Sequence, residues 1–268
     1  RRVLFRSAPA SVEATSSAGA VVTYDAATAT DIGDDSVNIA YSVPSGSTFA
    51  IGTTTVTVAA TDDHFNLTIC SFNVTVIDTT VPTIICPAAV SAEATSSSGA
   101  FMTYGVATAT DIGDDDVTIT YTQASGRAFA IGTNTVTVTA TDDNGNSSTC
   151  IFDVAVVDTT GPVITCSANI SAEATSSSGA AVSYAVATAT DDCDDNVAIT
   201  YSAASASTFA IGETTVTVTA TDDNGNVSTC TFTVTVVDTT APTIPFPPPP
   251  VSLHPTHHPR PSLAHHPS

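Results

Sequence analysis

Residues 215–236, TVTVTATDDNGNVSTCTFTVTV, carry the clearest structural signal of the chain. Val216 and Val218 alternate with threonine, as expected for a strand that buries one face. After the turn DDNGN the alternation resumes, with Cys230 and Phe232 on the apolar side. Asn-Gly between two alternating segments is a strong hairpin signal, and threonine favours strand geometry. The stretch therefore predicts two antiparallel strands joined by a short turn.

This hairpin pattern occurs three times, at intervals of 80 residues. TVTVTATDDNGN stands at 135–146 and at 215–226, and TVTVAATDDHFN stands at 55–66. Short strands are also predicted around 181–184 and 198–201, and no segment shows a sustained helical period. A period of this length suits a small domain with its own core. We therefore predict an all-β chain of three tandem immunoglobulin-like β-sandwich domains.

The predicted domains cover residues 1–83, 84–163 and 164–243, the first with an atypical N-terminal end. The joins, such as VVDTTGPVI, contain a proline within a linker of about five residues, which predicts a semi-rigid rod. Residues 244–268 are rich in proline and histidine and contain no acidic residue, so we expect a disordered tail. Both irregular ends are either native sequence or adaptor-derived.

The composition of the chain excludes several functions. The chain has 26 acidic residues and five arginines, which gives a formal net charge of −21. A surface with this charge repels nucleic acid. No run reaches the roughly 18 apolar residues of a membrane span, so we expect no membrane insertion in this segment. His64 is the one histidine before the tail, and we find no phosphate loop, nucleophile elbow or zinc-protease motif. We expect no enzyme activity.

Four of the six cysteines predict intradomain disulfides. Cys86 and Cys150 are 64 residues apart, and so are Cys166 and Cys230. In each pair one cysteine lies on the first strand of a domain and the other on its last strand. A disulfide closing such a loop contributes about 4 kcal/mol on the chain-entropy model. The alternative is two buried free thiols in each domain.

Two further cysteines depart from this scheme. Cys70 lacks its partner, because Arg6 stands at the matching first-strand position. Cys193 also lacks a counterpart, because Gly33 and Gly113 occupy its position in the other repeats. We expect both to be unpaired or to form intermolecular bonds, and the set of cysteines indicates an oxidising, extracellular setting.

All three repeats also share a set of fixed spacings. They are complete in FAIGETTVTVTATDDNGNVSTCTFTVTVVDTTAPTI, preceded by TCSANISAEAT, while Cys86-Pro87 supplies a Cys-Pro start. This pattern resembles the hyalin repeat, or HYR domain, over about 240 residues. The resemblance implies an immunoglobulin-like module of extracellular proteins, concerned with adhesion and matrix and without known catalytic activity. The departures are Arg6 and Phe246 at start positions and His64-Phe65 in the first turn.

Sequons of the form Asn-x-Ser/Thr predict N-linked glycosylation in a eukaryotic secretory route. The candidate acceptors are Asn66, Asn73, Asn146, Asn169 and Asn226. Three of these follow equivalent hairpin turns. The alternative is chance, since serine and threonine are abundant throughout the chain.

Acidic residues recur in the turns and at the domain joins, where carboxylate oxygens suit Ca²⁺. The candidate ligands are Asp142, Asp143, Asp158, Asp222, Asp223 and Asp238. None belongs to an EF-hand loop. The alternative is a set of solvated turn acids that keep the surface soluble. Calcium is the one cofactor that the sequence suggests.

Taken together, these patterns favour a non-enzymatic extracellular or cell-surface segment of a larger protein, serving adhesion or spacing. We expect its partners to be other extracellular or surface proteins, or further copies of the chain. One alternative is a subunit of a self-assembling secreted filament or coat. A carbohydrate-binding module is a weaker alternative, because the chain has no tryptophan to stack on sugars.

Overall fold

The computed structural model describes residues 2–4, 10–33 and 36–245. These residues form β-strands and contain no helix, as predicted, and the strand pattern repeats every 80 residues. Arg6 and residues 246–268 lie outside the described part of the chain, and with them the missing partner of Cys70 and most of the predicted tail.

The first repeat contains a four-stranded sheet and two pairs of short strands. Its strands are β1 (Arg2–Leu4), β2 (Ala10–Glu13), β3 (Ala20–Val22), β4 (Thr28–Thr30), β5 (Asn38–Tyr41), β6 (Ser47–Phe49), β7 (Gly52–Thr61) and β8 (Leu67–Ile77). The four-stranded sheet has the order β2-β8-β7-β5, while β1 pairs with β4 and β3 with β6. The pairing of β2 with β8 is parallel and the others are antiparallel.

The second repeat has the same arrangement. Its strands are β9 (Thr83–Ile85), β10 (Val90–Glu93), β11 (Ala100–Met102), β12 (Thr108–Thr110), β13 (Thr118–Tyr121), β14 (Arg127–Phe129), β15 (Gly132–Thr141) and β16 (Ser147–Val157). The sheet order is β10-β16-β15-β13, with β9 paired to β12 and β11 to β14. The hairpin of β15 and β16 is in register from Gly132 opposite Val156 to Thr141 opposite Ser147.

The third repeat has the same set of eight strands. They are β17 (Val163–Thr165), β18 (Ile170–Glu173), β19 (Ala180–Ala181), β20 (Thr188–Thr190), β21 (Ala198–Tyr201), β22 (Thr208–Phe209), β23 (Gly212–Thr221) and β24 (Val227–Val237). β17 pairs with β20 and β21 with β23, both antiparallel. β18 pairs in parallel with β24, and β19 pairs with β22.

Contacts divide the chain into two compact units. The first consists of Arg1–Cys166, Ala187–Tyr201 and Val218–Cys230, and the second of Ser167–Val186, Ser202–Thr217 and Thr231–Ser268. The first unit therefore holds repeats 1 and 2 together with the loops and strand ends of repeat 3 that adjoin repeat 2. Every residue of the two repeat junctions described below belongs to this first unit.

The cores are built from the alternation read in the sequence. In β15, Val136 and Val138 are at most 1% exposed, whereas the threonines between them reach the surface of the sheet. Phe152 and Val154 of β16 face the same core and are also buried. β-branched residues at these positions fill the pleated inner face and keep their preferred rotamers.

A half-buried tyrosine occupies the equivalent position of each repeat: Tyr24, Tyr104 and Tyr184. The Tyr104 hydroxyl donates to the main-chain oxygen of Gln123, and burial raises the pKa of that phenol. The Tyr184 hydroxyl donates the equivalent hydrogen bond to the main-chain oxygen of Ala203. The strand predicted around 181–184 is shorter than expected and ends at Ala181, because the Tyr184 N–H donates to the Ser205 hydroxyl at 3.0 Å rather than to a strand.

Both predicted disulfides are present. Cys86 is bonded to Cys150 and Cys166 to Cys230, each across a sequence separation of 64 residues. Each bond joins the residue after the first strand of a repeat to its last strand. Among the described residues Cys70 is a half-buried free thiol and Cys193 a buried one.

Candidate functional site: the repeat junctions

Three carboxylates meet where the first repeat is followed by the second. Asp78 comes directly after β8, Asp111 directly after β12, and Asp142 begins the turn between β15 and β16. One carboxylate oxygen from each lies within 4.8 Å of the other two. Asp78 and Asp142 are buried, at 7% and 6% exposed, and Asp111 is half-buried. Residues 31 to 64 positions apart in the chain thus form one acidic cluster.

Asp142 owes its position to the hairpin turn. Its Oδ1 accepts hydrogen bonds from the N–H groups of Asn144 and Asn146, at 3.0 and 2.7 Å, and its Oδ2 accepts from the Asn146 side chain. In the first repeat Asp62 makes the same set of bonds to His64 and Asn66. The turn therefore orders the equivalent aspartate in both repeats.

Asp78 is different because one of its oxygens has no partner. Its Oδ1 accepts from the N–H and the hydroxyl of Thr80, at 3.1 and 2.6 Å. Its Oδ2 is buried and receives no hydrogen bond. Burying an unsatisfied carboxylate oxygen costs several kcal/mol in the absence of a compensating charge or donor. The carboxylate that carries this oxygen belongs to the cluster with Asp111 and Asp142.

Gly113 makes this close approach possible. A Cβ atom at residue 113 would lie 2.2 Å from Asp78 Oδ2, far inside van der Waals contact. The Gly113 N–H donates to Asp111 Oδ1 at 2.7 Å, which fixes the loop against the carboxylates. Gly33, its counterpart in the first repeat, has nothing within 4 Å of the same position. Gly113 therefore leaves room for Asp78 Oδ2, and no such restriction is described for Gly33.

Hydrogen bonds also cross the boundary between the repeats. The side chain of Asn146 donates to the main-chain oxygen of Asp78 at 3.1 Å. The Ser148 hydroxyl donates to the main-chain oxygen of Pro82, and the Thr80 hydroxyl lies 3.4 Å from Asp111 Oδ1. The linker is thus bound to the turn and the loop of the following repeat.

The second junction has the same plan, with a different third member in its cluster. Asp158, Asp191 and Cys193 each place a potential ligand atom within 4.8 Å of the others. Asp158 and Cys193 are buried, at 7% and 8% exposed, and Asp158 Oδ2 has no hydrogen-bond partner. The side chain of Asn226 donates to the main-chain oxygen of Asp158 at 3.1 Å, repeating the bond of the first junction. Cys193 stands where the first junction has Gly113.

The electrostatics of the second junction disfavour its negative charges. Burial raises the pKa of Asp158, and the nearby Asp191, Asp222 and Glu93 raise it further, against the hydrogen bond from Thr160. Burial likewise raises the pKa of the Cys193 thiol, helped by the carboxylates around it. The pKa of Glu93 is lowered, chiefly by the hydrogen bond from the Thr159 N–H, which keeps that carboxylate ionised. The site is a region of concentrated negative potential with several unneutralised carboxylates.

The other predicted calcium ligands lie outside these clusters. Asp143 and Asp223 are exposed, and their N–H groups donate to Oδ2 of Asp114 and Asp194, at 2.9 and 3.0 Å. Asp238 is exposed and accepts hydrogen bonds from Thr240. Asp222 shapes its turn as Asp142 does and lies near Asp158.

The clusters also contain Asp78, Asp111 and Asp191. Asp78 is one of the acidic residues expected at the domain joins, and Asp111 and Asp191 belong to the acidic turns that recur every 80 residues. The sequence indicated acids of this kind but did not show which of them come together.

The predicted glycosylation sites fall into two groups. Asn66, Asn73 and Asn169 are exposed. Asn146 and Asn226 are half-buried, and each uses its side-chain nitrogen to bond both to the turn aspartate and across the junction. Equivalent sequons therefore stand in different surroundings.

The described residues contain no helix with the length and apolar character that a bilayer span requires.

The family follows from the repeated pattern on which these junctions are built. The model of the HYR domain matches residues 7–76, 77–156 and 157–236. The chain belongs to the HYR domain family, in three consecutive copies, as the fixed spacings predicted. Such β-sandwich modules with internal disulfides are typical of extracellular and cell-surface proteins. No curated protein matches the sequence.

Solved structures with a similar arrangement of strands include cadherin segments. Extracellular domains 3–6 of protocadherin gamma B2 are 15% identical, with a TM-score of 0.34 over 85% of this chain and 71% of that one. Domains 1–3 of Drosophila N-cadherin are 16% identical, with a TM-score of 0.34 over 86% of this chain and 98% of that one. Domains 22–24 of mouse cadherin-23 are 14% identical, with a TM-score of 0.34 over 86% and 96%.

Proposed function

We propose that this chain is a non-enzymatic extracellular segment whose tandem HYR repeats hold adhesive or matrix partners at a set spacing. The observation that carries the proposal is the bond from Asn146 to the main chain of Asp78, repeated from Asn226 to Asp158. Each bond ties the end of one repeat to the turn of the next. A short linker held in this way limits hinge motion, which is what a spacer requires.

Two further features support an extracellular role. The disulfides suit an oxidising compartment, and the acidic surface keeps a long multidomain segment soluble and resists nonspecific association. The acidic residues are used in turns and at junctions rather than around a cleft suited to acid–base chemistry. A structural or adhesive role therefore accounts for them better than catalysis.

Small-angle X-ray scattering of the full chain tests the spacing role. We expect a maximum dimension that does not change with protein concentration. When Asn146 and Asn226 are both replaced by alanine, we expect a broader distribution of interatomic distances. Particles that grow with concentration would instead support a self-assembling filament. An unchanged scattering curve in the double variant would show that the junction bonds do not set the spacing.

We further propose that the first junction binds Ca²⁺. Asp78, Asp111 and Asp142 offer oxygen atoms alone, and Ca²⁺ prefers 6–8 oxygen ligands, which water and main-chain carbonyls complete. The buried, unpartnered Asp78 Oδ2 supports a cation here more strongly than the acidic cluster by itself.

Thermal unfolding in Ca²⁺ and in chelator tests this site. Calcium at about 100 times its dissociation constant would add about 2.7 kcal/mol to the free energy of unfolding. Asp78→Asn should abolish the part of the calcium effect that belongs to this junction. Asp143→Asn is the matched control, since Asp143 carries the same charge close by but lies outside the cluster. Equal effects of the two substitutions would count against the site.

A further inference from the structure

We infer that the second junction is a zinc site, in which the Cys193 thiolate binds the ion together with carboxylate oxygens of Asp158 and Asp191. This site does not depend on the proposed spacing function, because its test is metal binding at one junction. The inference rests on the cysteine that replaces the first junction's glycine and on what surrounds it.

The first step is the placement of Cys193. The thiol occupies the position held by Gly113 in the first junction, where a Cβ would meet the preceding aspartate. At the second junction a cysteine side chain is present instead, and its sulfur is within 4.8 Å of carboxylate oxygens from both Asp158 and Asp191. The substitution therefore adds a sulfur ligand at the centre of an existing acidic cluster.

The second step is the unpartnered oxygen. Asp158 is 7% exposed and its Oδ2 receives no hydrogen bond. Cys193 also packs at the end of the core of the second repeat, so its sulfur is shielded from solvent. A buried carboxylate oxygen without a donor or a cation is costly, and a cation bound between the Asp158 carboxylate and the Cys193 thiolate removes that cost.

The third step is the availability of the thiol. The four cysteines at 86, 150, 166 and 230 are consumed in two disulfides. Cys193 is free among the described residues, as is Cys70 of the first repeat. Metal ligation is a chemical use for a buried thiol that stays reduced in an otherwise disulfide-bonded chain.

The choice of zinc follows from the ligand types. Thiolate sulfur is a soft ligand that Ca²⁺ avoids, whereas Zn²⁺ binds cysteine, aspartate and water in tetrahedral sites. A cavity of about 160 Å³, lined in part by Thr160, Thr190 and Asp192, adjoins the cluster and has room for a water molecule as fourth ligand. On binding, the sulfur–zinc bond replaces the S–H bond and the thiol proton passes to solvent.

Cobalt substitution in the full chain tests the inference. We would use the Cys70→Ser variant, so that Cys193 is the one free thiol among the described residues. The variant is titrated with Co²⁺ in the absence of oxygen. Thiolate ligation gives a sulfur-to-cobalt charge-transfer band in the near ultraviolet. The histidines beyond residue 253 can also bind metal, but imidazole does not produce this band.

We expect one equivalent of Co²⁺ to produce the band, and Zn²⁺ but not excess Ca²⁺ to displace it. Two variants should abolish the band: Cys193→Gly, which introduces the residue found at this position in the first junction, and Cys193→Ser. Asp158→Asn should weaken Zn²⁺ binding at least about tenfold, because even outer partners of zinc ligands contribute that much. Asp223→Asn, an exposed neighbour, should leave binding unchanged.

Two results would overturn the inference. One is the absence of the band, and the other is a band that survives Cys193→Ser. If the Cys193 variants do not fold, alkylation of the thiol in the Cys70→Ser chain decides the question. Zn²⁺ should slow that alkylation at least about tenfold, whereas equal rates with and without Zn²⁺ would exclude Cys193 as a ligand.

Discussion

The side chain of Asn146 donates a hydrogen bond of 3.1 Å to the main-chain oxygen of Asp78, which lies 68 residues earlier in the preceding repeat. The same nitrogen also bonds to Asp142 at 2.8 Å. One amide therefore orders its own turn and fastens the linker from the neighbouring repeat. This double use makes the junction sensitive to a change at a single side chain.

Asn146→Ala should destabilise the protein by about 2 kcal/mol, since it removes two hydrogen bonds worth about 1 kcal/mol each. Asn66→Ala is the matched control, because Asn66 bonds in the same way to Asp62 while no bond to a preceding repeat is described for it. The control should lose about 1 kcal/mol in urea unfolding. Equal losses would mean that the bond across the junction contributes nothing.

Glycan occupancy should differ between sequons of identical form. We expect glycans at Asn66, Asn73 and Asn169, whose side chains are exposed. Asn146 and Asn226 should remain largely unmodified, because a glycan would replace an amide hydrogen that the junction uses. Glycopeptide mass spectrometry of the chain secreted from eukaryotic cells measures this directly. High occupancy at Asn146 would show that the junction forms without its amide bonds.

Gly113→Ala should destabilise the first junction, because the new Cβ would stand 2.2 Å from Asp78 Oδ2. Overpacking of this kind costs about 1–3 kcal/mol. Gly33→Ala should be close to neutral, since nothing lies within 4 Å of its Cβ position. Thermal unfolding of the two variants, compared with the unmodified chain, checks the contrast. Similar effects for both would argue against a close approach of Asp78.

Phe65→Gly should stabilise the first repeat. Phe65 has a φ of +61°, whereas the matching residue of the second repeat, Gly145, has +91°. The left-handed region costs a side-chain-bearing residue about 1–2 kcal/mol, and the extra freedom of glycine in the unfolded chain offsets about 0.5–1 kcal/mol. We expect a net gain of about 0.5–1 kcal/mol in chemical unfolding. Phe65 is 88% exposed, so little packing is lost.

A substitution of the matching glycine in the second repeat is the control for that change. Gly145→Ala should destabilise the second repeat by about 1 kcal/mol, because it places a Cβ on a left-handed residue. A loss of stability in Phe65→Gly would show that the turn of the first repeat is held by the aromatic ring rather than strained by it.

Reduction of the disulfides should affect the repeats unequally. Each bond closes a separation of 64 residues, so its loss should cost about 4 kcal/mol in the second and third repeats. The first repeat has a free Cys70 in this position, and its transition should not move. Scanning calorimetry with and without reductant resolves the transitions. A downward shift common to all three would point instead to stability shared across the junctions.

The strands were largely predictable because their signal is local. The alternation of valine and threonine from Gly212 to Thr221 specifies one buried face, and a hairpin turn follows it directly. The spacing of Cys86 and Cys150 likewise predicted their bond, although Cys86 follows the first strand rather than lying on it. The strand expected up to Tyr184 ended early, because a serine hydroxyl rather than a strand partner binds its N–H.

The junctions were only partly predictable because they depend on how successive repeats pack. Asp142 is recognisable as a turn acid and Asp78 and Asp158 as linker acids, but nothing local shows that Asp78 is buried. Its importance lies in a burial and a missing hydrogen bond that arise when Gly113 and its loop approach it. Cys193 was read as an unmatched thiol, since its carboxylate neighbour Asp158 lies 35 residues away in the preceding repeat.

The sharing of each acidic cluster between neighbours has a thermodynamic consequence. Asp78 is buried by loops of the second repeat, and Asp158 is buried by loops of the third. Stability along such an array is a sum of intrinsic terms and nearest-neighbour coupling terms. A cation bound at a junction, as proposed above, would offset the repulsion between its carboxylates and so strengthen that coupling. The concentration of the ion would then set how many repeats unfold together.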